Sequence, residues 1–139
     1  MTNLQINETN KSLSELISDY DNNSPIIILN TQKEENSEVI RSILFSTAKI
    51  NKDADTKEFT ENNWADIANA TKDLAEKNIL FANLNNDSIE TIISKIKQNK
   101  LEVKKVLVDN IEKLKSYNNY AELELFLINS GADVIALKN

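Results

Sequence analysis

The chain contains no cysteine and no histidine. Disulfide scaffolds, Cys/His zinc sites, thiol nucleophiles and every Ser-His-Asp arrangement are excluded at once. Glycine occurs once, at Gly131, and proline once, at Pro25. Loops that cradle phosphate need glycine where the backbone turns through positive φ against the ligand. A working glycine-rich nucleotide loop is therefore not expected. Basic residues are outnumbered 16 to 22, leaving a net charge of −6. That balance argues against a general nucleic-acid coat protein, whose affinity comes from neutralising phosphates. No apolar run approaches the roughly 18 residues of a membrane span, and the start, MTNLQINETN, has neither the basic nor the apolar region of a leader. The expectation is a cytoplasmic protein that makes no membrane contact.

What is present is 139 residues, enough for one domain with a core of its own. Short apolar runs alternate with amphipathic stretches. Leu13, Leu16, Ile17 and Tyr20 recur at helical spacing and predict a first helix of about three turns, broken at Asn22–Pro25. Ile26–Leu29 is unbroken apolar sequence, as in a strand buried on both faces of a parallel sheet. Val39, Ile40, Ile43 and Leu44 predict a second helix. Thr60 then caps a long third helix, with Trp64, Ile67, Ala68, Thr71, Leu74 and Ala75 on one stripe. Trp64 there reads as a core or staple residue.

Further strands are predicted at 79–82, 105–108 and 134–137, with helices from Asp87 or Ser88 and over Tyr120–Ser130, the latter closed by Gly131. The fold class is α/β with a mostly parallel sheet between helices. Residues 1–10 are expected to be a weak first strand or disordered. Asn3–Ile6 is expected to pair beside Val134–Leu137, with Leu4 and Ile6 facing inward.

One stretch is basic. Residues 90–116 hold seven lysines against four acidic residues, a local +3 that leaves −9 elsewhere. Lys95, Lys97, Lys100, Lys104, Lys105, Lys113 and Lys115, with Tyr117 beside them, are the candidates for contact with nucleic acid or an acidic partner. The plainer reading is a solvated face.

Several strings occur together in one order: Arg41, then Thr60-Glu61-Asn62-Asn63-Trp64, then Glu76-Lys77-Asn78-Ile79, then Val106-Leu107-Val108-Asp109-Asn110-Ile111-Glu112-Lys113-Leu114, then Val134–Leu137. In that order they resemble the RecA-like motor domain of bacterial replicative helicases, the DnaB family. The resemblance implies a P-loop-type sheet in the order 79–82, 26–29, 105–108, 134–137, with Asp109 as the magnesium-supporting Walker B aspartate. It also implies where the chain departs. Asn10-Lys11-Ser12 stands at the P-loop ending, so Lys11 and Ser12 persist without the glycines, and Gln32 stands at the catalytic glutamate, where it cannot accept a proton from water. Without the resemblance, Ser12 is a helix cap, Lys11 a solvated lysine and Asp109 the polar end of a buried strand.

The expectation is a single, shortened and degenerate motor domain over 1–139. It would act as a non-catalytic binding module tied to DNA replication or a mobile element, with no cofactor and with a protein partner from replication machinery or a second copy. The alternative is a helicase fragment that completes an ATP and magnesium site in an oligomer. A structural domain with an unrelated partner is the third reading.

Overall fold

In a computed structural model, residues 4–19, 25–32, 35–51 and 53–138 are described. Five strands alternate with helices: β1 (Ile6–Thr9), α1 (Leu13–Ser18), β2 (Ile26–Asn30), α2 (Asn36–Thr47), α3 (Glu61–Ala75), β3 (Ile79–Asn83), α4 (Ile89–Gln98), β4 (Lys105–Val108), α5 (Ile111–Lys115), α6 (Tyr120–Ser130) and β5 (Asp133–Leu137). The strands form one sheet in the order β3-β2-β4-β5-β1, and every neighbouring pair is parallel. This is the expected spatial order, with β1 added beside β5.

Strand β2 explains the layering. Its residues are all buried, and they alternate between two cores. Ile26 and Ile28 pack with Ile17 of α1 and Ile43 of α2, and Leu74 of α3 lies against the same cluster. Ile27 and Leu29 pack on the opposite face with Ile92 and Ile96 of α4, Leu114 of α5, and Leu123 and Leu127 of α6. Period-2 side-chain direction therefore turns one uniformly apolar run into the centre of a three-layer sandwich. Helices before β3 lie on one face and helices after it on the other. Right-handed crossovers produce that pattern when the chain reverses its direction of travel across the sheet.

The local devices follow from sequence. Ser88 caps α4 by accepting the Thr91 N–H, and Gly131 takes φ +67° where α6 ends. A capping box opens α3: Thr60 Oγ1 accepts the Asn63 N–H at 3.2 Å while Asn63 Oδ1 accepts the Thr60 N–H at 3.0 Å.

Three expectations need correction. The first helix spans six residues, not three turns; Tyr20, expected to extend it, lies outside the described residues. The first strand is Ile6–Thr9 where Asn3–Ile6 was expected, because the register sets Ile6 opposite Val134 and Thr9 opposite Leu137; Asn3 lies outside the described residues. Leu4 and Ile6 are nonetheless half-buried against the core. On α3 the inward stripe is Asn63, Ile67, Ala70 and Leu74, and Ala68, Thr71 and Ala75 face outward. Trp64 is 52% exposed and meets Phe59 edge-on at 5.1 Å. These two residues flank the Thr60 cap as a hydrophobic staple, so Trp64 is the staple and not a core residue.

Candidate functional site

The chain leaves β2 toward β3 on one side, and leaves β4 toward β5 on the other. The carboxyl ends of β2 and β4 thus flank the point where the sheet changes direction, the place where open α/β sheets collect ligands. Asn30-Thr31-Gln32 ends one strand and Asp109-Asn110 the other.

Asp109 joins them. The Thr31 N–H donates to both carboxylate oxygens at 3.0 Å, Thr31 Oγ1 donates to Oδ1 at 2.7 Å, and the Gln32 N–H reaches Oδ2 at 3.3 Å. Asn30 Oδ1 also accepts the Gln32 N–H at 3.0 Å, and the Asn85 side-chain amide donates to the Gln32 carbonyl. Thr31 is fully buried. The β2 end is therefore stitched to β4 by a carboxylate that accepts from main chain and hydroxyl together. Asn110, one residue on, caps α5 by accepting the Lys113 N–H at 3.1 Å.

Ser12, Gln32 and Asp109 open onto one cavity of about 310 Å³ between the sheet and helices α1 and α2. Lys11 lines a shallower neighbouring depression, where its ammonium pairs with Asp19 at 2.9 Å. That hydrogen bond, with the Asp19 charge behind it, raises the Lys11 pKa. Ser12 Oγ accepts the Glu15 N–H at 3.2 Å and caps α1. Only Asn10–Ser12 separate β1 from α1. All four residues of the suspected nucleotide site thus gather at one end of the sheet, with Lys11 turned to an ion pair at its margin.

The lysine run does not form one surface. Lys97 and Lys100 lie at the end of α4 and Lys104 and Lys105 at the start of β4, at the amino end of that strand. Lys113 and Lys115 lie on α5, beyond its carboxyl end. Lys95 pairs with Asp87 at 3.1 Å and Lys104 with Glu102 at 3.0 Å, while the Lys97 ammonium sits 5.7 Å from the Phe126 ring centre. Tyr117 packs against the core, and burial, with the Asp109 charge second, raises its pKa.

Two members of the site went unmarked in the sequence. Thr31 and Asn30 follow an apolar strand as ordinary polar residues do. Only the pairing of β2 with β4, which aligns Leu29 with Val108, reveals that Thr31 faces Asp109. Among the described residues no group of three or more acidic side chains could hold a metal ion, and no helix is long and apolar enough to cross a membrane.

No protein-family model matches the sequence, and no curated protein matches it either. A solved structure of a DnaB-like replicative helicase, described with its interactions with primase, superposes with a TM-score of 0.62 at 18% identity. The match covers 95% of this chain and 38% of the helicase chain. The fold is RecA-like. This chain spans well under half of that helicase's length.

Proposed function

We propose that this RecA-like domain is a helicase-related binding module of replication or of a mobile element, and that it does not hydrolyse ATP. One observation carries the reading. The Asp109 carboxylate, which would support magnesium in a motor, is spent on the Thr31 amide and hydroxyl and the Gln32 amide.

Two further features support it. A glycine-rich phosphate loop needs about eight residues, Gly-x-x-x-x-Gly-Lys-Ser/Thr, so that successive amides can wrap the phosphate. Here a connection of Asn10, Lys11 and Ser12 spans the same place, and Lys11 and Ser12 answer to Asp19 and Glu15 instead. Gln32 would stand where a motor holds its catalytic base, and a carboxamide takes no proton from water. Phosphoryl transfer depends almost wholly on positioning and electrostatics, so these losses together should leave no useful rate.

A protein partner from the replication machinery, or a second copy, is the expected ligand of such a module. Nucleic acid is a lesser candidate, since the lysines are divided between opposite ends of β4 and two of them are ion-paired. The test is steady-state ATP hydrolysis with magnesium, with and without single-stranded DNA. The expected result is no turnover above buffer. Turnover that vanishes in Lys11→Ala would overturn the reading and favour a nucleotide site completed between chains.

A further inference from the structure

We propose that the cavity between the sheet and helices α1 and α2 binds a small uncharged molecule, apolar over most of its surface and carrying an amide- or hydroxyl-type polar edge. The proposal rests on the reading that this end of the sheet no longer handles phosphate.

Position and size come first. The cavity reaches the crevice between the carboxyl ends of β2 and β4, and its volume of about 310 Å³ is at the lower end of the range for small-molecule sites. Leu13, Ile28, Val39 and Ile43 supply its apolar surface. Ser12, Ser14, Ser42 and Ser46 supply hydroxyls around it, and the Ser14 and Ser46 hydroxyls meet at 2.8 Å, tying α1 to α2 across the opening. Gln32, exposed at the mouth, offers a carboxamide that can donate and accept on one edge.

Charge then selects the ligand class. No lysine or arginine lines this cavity among the described residues. The nearest suspect, Lys11, is held by Asp19 in the adjoining depression. Among the described lining residues the one charged group is Asp109. An anion would lose hydration and meet the Asp109 carboxylate with no cation among the described lining residues to compensate. A cation would gain little, because both Asp109 oxygens already accept donors from Thr31 and Gln32. A neutral ligand gives up only weakly held water and finds hydroxyls and a carboxamide for its polar edge.

Three probes of nearly the same shape separate these cases: benzamide, benzoate and benzamidine. Each is titrated into the full chain and followed by amide chemical shifts in ¹⁵N-labelled protein. Benzamide should move the signals of Leu13, Ser14 and residues 39–46, and should bind at least about tenfold more tightly than either charged analogue. Ser42→Leu, at an exposed position on the rim, should abolish those shifts while the rest of the spectrum stays folded. Val39→Phe, which adds bulk to the apolar lining, should do the same, and shifts that persist in both variants would overturn the proposal. Benzamide that produces no shifts up to its solubility, shifts confined to another surface, or tighter binding of benzoate or benzamidine would each overturn the proposal. Mg-ATP in a parallel titration keeps the two readings apart. Silent benzamide with silent ATP removes only the ligand proposal, whereas ATP shifts around Lys11 and Ser12 remove the non-catalytic reading beneath it.

Discussion

Replacing Asp109 with alanine should cost about 3 kcal/mol of stability, although the residue lies at the edge of the core. The estimate comes from what its carboxylate holds. Thr31 is 0% exposed, and both its N–H and its hydroxyl donate to Asp109, at 3.0 and 2.7 Å. A buried donor left without an acceptor costs about 1–3 kcal/mol, and hydrogen bonds to a charged acceptor lie in the upper part of that range. Two such donors give about 2–6 kcal/mol. The half-buried position of Asp109 lets water repair part of the loss, which brings the figure to about 3. Asp109→Asn should cost about 1–2 kcal/mol, because its carboxamide keeps one acceptor but turns donors toward the Thr31 and Gln32 amides. Thr31→Val removes only the hydroxyl, and combined with Asp109→Ala it should show a coupling of at least about 1 kcal/mol. Urea denaturation of the parent and these four variants measures all of these. The opposite expectation is clear for a cation site: a carboxylate kept for magnesium is destabilising when empty, so its removal leaves stability unchanged or raises it. An Asp109→Ala protein within about 0.5 kcal/mol of the parent, or more stable than it, would refute the stitching argument.

Three other outcomes are expected. Thr60→Ala should lower stability by about 1 kcal/mol through loss of the capping box, and Trp64→Ala should cost no more than that, as suits a half-exposed staple; a loss near 3–4 kcal/mol on thermal melting of Trp64→Ala would mean a core role instead. Burial, then the nearby Glu124 charge, pushes the Tyr120 pKa up to about 12. The folded chain keeps this proton where the unfolded chain, near pH 10, releases it, so stability should fall from about pH 10 to 12, and Tyr120→Phe should flatten that fall in urea midpoints measured across the range. Removing the chain through Thr9 uncovers the edge of β5, where Val134 and Ala136 are fully buried, and should shift the protein to dimers or aggregates on light scattering; a monomer with an unchanged melting temperature would show that β1 contributes nothing.

Much of this architecture was legible in the residues, because each strand announces itself differently from each helix. Ile26–Leu29 suits a strand buried on both sides, and Thr60, Ser88 and Gly131 mark helix ends through side-chain oxygens and positive φ, which local sequence does encode. The errors fell where tertiary pairing decides. Nothing in Asn3–Thr9 fixes a register; Val134 and Leu137 opposite Ile6 and Thr9 do. The stripe on α3 is set by what it packs against, so Asn63, Ile67, Ala70 and Leu74 turn inward, and Trp64, read as core or staple, is the staple on Phe59. At the site, Lys11 and Ser12 were visible as what persists of a motor's loop, Asp109 as its matching aspartate and Gln32 as its departure, each one at a time. What Asp109 holds was not visible, because Thr31 is 78 residues away in sequence and adjacent only once β2 pairs with β4.

The measurement that tests the central claim most directly is isothermal titration of the full chain with Mg-ATP, repeated on Lys11→Ala. The account predicts no binding heat beyond dilution in either protein, because the connection Asn10–Ser12 has no glycine to wrap phosphate, Ser12 caps α1, and Asp109 is engaged by Thr31 and Gln32. Saturable, magnesium-dependent heat in the parent that disappears in Lys11→Ala would contradict it.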